Sequence, residues 1–202
     1  MKRMSRLLTI MLTVIVFAAC GQNQETSETG RSNAGTQHPP AGADGAEAAL
    51  VWTAPDGWVE EPPESAIRMA QYRLPRIEGD IEDAVAAVFH FRGAGGTVDA
   101  NLNRWYGQFV QPDGRPSVEA AKVEKTEHNG LKQTTVDLSG TFRQSTTPMG
   151  PVSAEKPKYR MLAGVIETPS GPWFIKITGP EKTVAHWQES FYDFMASVEP
   201  AP

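Results

Sequence analysis

The chain carries one cysteine, Cys20, in 202 residues, so no internal disulfide can staple it. Histidine is nearly as scarce. His38, His90, His128 and His186 are scattered and give no convergent ligand set for a metal. A GxGxxG fingerprint and a phosphate-loop lysine after a glycine run are both missing. Ser139 and Ser170 lack the strand-to-helix turn that would expose a nucleophile. Basic charge is short, with 19 Lys and Arg against 24 Asp and Glu. That balance disfavours nucleic acid and anionic lipid headgroups as partners. Nothing in this composition signals catalysis, a cofactor or a metal, and the chain is expected not to be an enzyme.

What is present begins at the N-terminus. Lys2, Arg3 and Arg6 form a basic head, and Leu7 to Phe17 follow as an apolar run broken by Thr9 and Thr13. That run is too short to cross a bilayer. Ala18 and Ala19 then lead to Cys20 and Gly21. The layout reads as a secretory signal over residues 1–19 that ends in a lipobox. Cys20 is the expected lipidation site, and several acyl chains on it anchor the protein firmly, at about 0.8 kcal/mol per buried methylene. Removing the three basic signal residues takes the formal charge from -5 to -8. Because Gly21 is not aspartate, the expected address in a two-membrane cell is the outer membrane, with the domain on the periplasmic or extracellular side.

Residues 20–48 comprise this cysteine and a stretch of Gln, Glu, Thr, Ser, Gly, Asn and Ala around Pro39-Pro40. No aliphatic residue larger than alanine occurs between Gly21 and Ala48, too little to offset ordering entropy, so the expectation is a disordered tether. Its r.m.s. reach is on the order of 30 Å.

A single domain is expected over residues 49–200. Pro55-Asp56-Gly57 is a turn followed by Trp58, and Ile67 to Leu74 is extended up to Pro75. Ala84 to Phe91 is apolar on both alternating faces and predicts a central strand. Thr97 is a candidate N-cap for a helix whose stripe Val98, Leu102, Trp105 and Phe109 runs toward a stop at Pro112-Asp113-Gly114. Asn129-Gly130 predicts a hairpin between strands near Ala121–Glu127 and Leu131–Phe142. Arg143 to Lys158, with three prolines, reads as a long loop centred on Thr146, Thr147, Pro148, Met149 and Gly150. A second hairpin joins Tyr159–Glu167 to Trp173–Thr178. Pro180 and Glu181 open a last helix with the stripe Val184, Trp187, Phe191, Phe194, Met195 and Val198. The order predicts an α+β fold, a mostly antiparallel sheet of about six to seven strands packed by two amphipathic helices.

The Pro55-Asp56-Gly57-Trp58 entry, the hairpin order and the closing helix resemble the PsbP-like fold of photosystem accessory proteins, which is shared by a nuclear-import Ran-binding factor and many bacterial envelope lipoproteins. The segment from Gly95 through Asn101 to Arg104, Trp105 and Phe109 is similar to one in such lipoproteins. The resemblance spans Val51 to Val198 and implies a domain that binds or helps assemble another protein rather than one that catalyses. No binding residue transfers with it.

Two functions are therefore expected of a lipid-anchored envelope protein: binding an unidentified envelope protein, or binding a small anion or other small ligand at a glycine-rich loop. Arg92, Gly93, Gly95, Gly96 and Thr97 deliver the chain into a helix N-terminus, where backbone N–H groups can face an anion. On the helix, Asn101 falls at the edge of the packed face and Arg104 projects outward on the same flank. His90, between Phe89 and Phe91, reads as a hydrogen-bonded, semi-buried histidine. The carboxylates Asp80 and Glu82, and Glu60 and Glu61, read as solvated surface.

Overall fold

The structure, a computed structural model, describes residues 50–91, 95–145 and 150–202. The residues expected to be signal and tether, 1–48, and Thr146 to Met149 of the expected long loop lie outside these.

Among the described residues ten strands and four helices follow one another. They are β1 (Leu50–Val51), β2 (Val59–Glu61), β3 (Arg68–Leu74), β4 (Ala84–His90), α1 (Val98–Tyr106), β5 (Phe109–Val110), α2 (Ser117–Ala120), β6 (Lys122–His128), β7 (Leu131–Ser145), β8 (Val152–Ile166), β9 (Trp173–Pro180), α3 (Glu181–His186), α4 (Gln188–Ser197) and β10 (Glu199–Pro200). Among the described residues one antiparallel sheet runs β2-β3-β4-β9-β8-β7-β5, with β6 also on β7, and β1 pairs with β10 apart from it. The α+β class and the antiparallel sheet are as the sequence predicts. The sheet has eight strands rather than six or seven, because β2 and β5 are too short to leave a periodic pattern.

The central strands bury both faces. On one, Ala86, Val88, Leu162, Ile175 and Ile177 pack beneath Val184, Phe191, Phe194 and Met195 of α3 and α4. On the other, Val136, Ala163, Val165 and Phe174 pack beneath Leu102 and Trp105 of α1. This two-sided cover is why Ala84–His90 is apolar on both faces. No helix of the described residues is long and apolar enough to cross a membrane.

Four expectations are corrected. The first helix ends at Tyr106, well before Pro112, and Phe109 continues the apolar stripe from inside β5, drawn off by pairing with Phe142. The segment Arg143 to Lys158 is mostly strand: β7 and β8 form one long hairpin, and its prolines misled because Pro157 sits at a bulge between Gly140 and Phe142 where no ladder N–H is required. The last helix breaks at Trp187, whose Nε1 donates to Pro75 O at 2.9 Å and whose ring fills the space that a Cβ at Gly57 would need. The acidic pairs are not free surface. Asp80 accepts from Thr183 N at 2.8 Å and Oγ1 at 2.6 Å, capping α3 where Pro180 offers no side chain, while Glu82 and Glu61 are engaged as described below.

Candidate functional site

Cross-strand register carries the residues of interest onto the α1 face of the sheet. One row runs Gln71, Ala87, Lys176, Ala163 and Val136 from β3 to β7; the next holds Arg73, Val85, Thr178 and Met161. Alternation along Trp173-Phe174-Ile175-Lys176-Ile177 thus places an ammonium on the same face as the apolar side chains of Phe174, Val165 and Ala163.

Lys176 is partly buried there. Its Nζ donates to Gln108 Oε1 from the segment after α1 and stands 5.5 Å from the centre of the Phe142 ring. It makes no ion pair among the described residues. Burial, with Arg104 and Arg68 adding to it as like charges, pushes its pKa down to about 7. The carboxylates on the same side are already committed. Glu61 and Asp83 hold Arg73 at 2.9 and 3.2 Å. Glu82 takes Lys156 Nζ at 2.8 Å and the Tyr159 hydroxyl. Burial alone would raise the Glu82 carboxyl, but those two hydrogen bonds prevail and leave it below the ordinary range. Phe142 is stacked on Tyr159 at 5.9 Å and so links this group to Lys176.

The glycine turn meets this locus through α1. Thr97 is the N-cap, its Oγ1 accepting from Ala100 N at 3.2 Å. Asn101 is buried, and its Nδ2 donates to Gly95 O at 2.6 Å and Thr97 O at 2.9 Å, bracing the turn. Gly96 has a φ of +72°, and a Cβ on Gly95 would collide with Pro172 at 2.7 Å. Gly95, Gly96, Thr97 and Asn101 are thereby occupied in closing the turn. Arg104 is exposed, donates to Asn101 Oδ1, and is the member of the predicted set whose charge acts on Lys176. Arg92, Gly93 and the expected lipidation site Cys20 lie outside the described residues. His90 is stacked on Trp173 at 4.3 Å rather than hydrogen-bonded: its Nε2 has no partner among the described residues.

On the opposite face a cavity of about 290 Å³ is lined by Asp137, Arg160, Lys122 and Glu181. Its central charges answer each other, since Arg160 grips Asp137 through two hydrogen bonds of 2.7 Å. No group of three or more His, Cys, Asp or Glu among the described residues is placed to hold a metal.

No family model and no curated protein matches the sequence. Among solved structures the chain is similar to a Pseudomonas aeruginosa protein of unknown function, at 12% identity and a TM-score of 0.46 over 70% of this chain and 90% of that one. It is also similar to cyanobacterial PsbP of Synechocystis sp. PCC 6803, at 14% identity and 0.41 over 81% and 100%. A third is LpqN of Mycobacterium tuberculosis, described as involved in cell envelope biogenesis, at 8% identity and 0.45 over 79% and 87%.

Lys176 is the residue that the sequence reading missed. Its signal is one charge inside the apolar strand Trp-Phe-Ile-Lys-Ile, but only the register shows which face it occupies and that no acid stands opposite.

Proposed function

We propose that this is a non-catalytic binding module, tethered to the cell envelope by lipid on Cys20, whose α1 face holds a small oxyanion at Lys176. The observation that carries the reading is an ammonium on an apolar face with no carboxylate partner among the described residues and with Arg104 and Arg68 as its charged neighbours. An anion supplies the missing counter-charge. It also favours the protonated amine, so binding takes up a proton and tightens as pH falls through the Lys176 pKa of about 7.

Titration with phosphate or sulfate should shift the amides of α1 and β9, more strongly at pH 6 than at pH 8.5. Arg104→Glu should weaken that response at least roughly tenfold with thermal stability kept, since Arg104 is exposed. No response at millimolar anion would sink the reading.

A second reading, docking of an envelope protein, is favoured by one observation. Ile67 and Met69 flank Arg68 and are 50% and 55% exposed. A partner presenting an apolar side chain suits that strip, where Arg68 is already paired with Glu64 at 3.0 Å. Capture of a protein that survives dialysis and is lost in Met69→Lys would support it over the small-ligand reading.

Anchoring has its own test. Cys20→Ser should release the protein from membranes or leave its signal uncut. Normal cleavage with unchanged membrane fractionation would remove the lipoprotein assignment.

A further inference from the structure

Strand β6 is an edge. All seven of its residues are exposed, and among the described residues it pairs only with β7, from Lys122 opposite Asp137 to His128 opposite Leu131. An open row of backbone N–H and C=O groups is a template for another strand, and charged side chains restrict which strand can use it. The sequence of this edge, Lys-Val-Glu-Lys-Thr-Glu-His, carries charges of both signs in an order that can be tested against itself.

A second copy extending the sheet across a two-fold axis must run antiparallel, with residues of the same face opposite one another. Every such register is therefore centred on one residue facing its own equivalent. Centring on Glu124, Lys125 or Glu127 sets like charges face to face, which is unfavourable, and centring on Val123 opposes Lys122 and Glu124 but joins only residues 122–124 of the strand. Centring on Thr126 sets Thr126 against Thr126, Lys125 against Glu127 twice, and Glu124 against His128 twice. The geometry points to β6 as a homodimer interface, in which two copies of this chain join edge to edge in the Thr126-centred register. The opposite-sign pairs select that register, and the like-charge clashes exclude its neighbours. Both α4 helices then lie on one face of the joined sheet, because α4 packs beside β6 on the side of Glu124, Thr126 and His128.

The pairing makes a prediction that monomer stability does not share. In sedimentation equilibrium of the full chain in density-matched detergent, the mass should rise with concentration from the 22.0 kDa of one chain toward twice that value. Lys125→Glu creates two Glu–Glu oppositions across the axis and Glu127→Lys two Lys–Lys oppositions. Each should weaken self-association at least roughly tenfold; thermal unfolding should be unchanged for Lys125→Glu, which faces Thr134 on β7, and slightly lowered for Glu127→Lys, which faces Lys132. Mixing the two variants restores Glu opposite Lys at both positions, so the mixture should associate as the wild type does. The double variant K125E/E127K should do the same. A wild-type chain that stays monomeric overturns the proposal, as do single variants that associate normally, or a mixture that fails to recover.

Discussion

Lys176→Met should stabilise the domain, by roughly 2–4 kcal/mol at pH 6, and the gain should shrink as pH rises. Lys176 Nζ stands 5.5 Å from the centre of the Phe142 ring, where the flexible, apolar side chain of methionine can lie without a charge. The sign follows from proton counts. In the folded state Lys176 releases its proton near pH 7, whereas the unfolded residue keeps it to about 10.5. Between those values the unfolded chain holds the extra proton, so wild-type stability climbs with pH through that window. Below it the full cost of a charged amine on an apolar face is present, and there the substitution gains most. Denaturant unfolding of both proteins at pH 6 and pH 9 measures it. A variant no more stable than wild type at pH 6 would show that the ammonium is already well solvated. The same variant should lose anion binding, because a residue held at a stability cost is the one that the proposed function requires.

Phe191→Ala and Trp105→Ala should each cost roughly 3–5 kcal/mol, a large part of the total stability of a domain this size. Phe191 is fully buried beneath α4 and Trp105 is 4% exposed beneath α1, against Phe174 at 6.1 Å edge-on. The two positions sit in separate clusters on opposite faces of the sheet, so their effects should add when combined. His186→Ala, on the exposed side of α3, should stay within about 0.5 kcal/mol of wild type. Thermal unfolding of the wild type, the two single variants, their combination and His186→Ala checks all of this. A His186 variant as damaged as Phe191→Ala would mean that the last helical segment is rotated from the face described.

Much of the local structure was legible because local rules produce it. Asn129 and Gly130 adopt φ of +52° and +74°, the turn their sequence calls for, and Thr97 caps α1 through its own hydroxyl. The stripe Val184, Phe191, Phe194, Met195 and Val198 is buried as spaced, and the alternating apolar faces of Ala84–His90 are covered on both sides. Errors arose where a distant segment overrode a local signal. Pro157 reads as a loop residue until β7 supplies a bulge to hold it, and Phe109 reads as helical until Phe142 pairs with it.

By itself the sequence determined the class of the domain, the faces of its helices and the place of the Asn129-Gly130 hairpin. These depend on residue types and on periods of 2 and 3.6, which are properties of the chain alone. Tertiary structure decided the candidate site. Lys176, Gln108, Phe142, Arg104 and Arg68 come from five separate segments, and pairing of β3, β4, β9 and β8 fixes the face on which they meet. Whether a lysine is paired depends on where the carboxylates go. Glu61, Glu82 and Asp83 go to Arg73, Lys156 and Tyr159, partners that no local pattern in the sequence discloses.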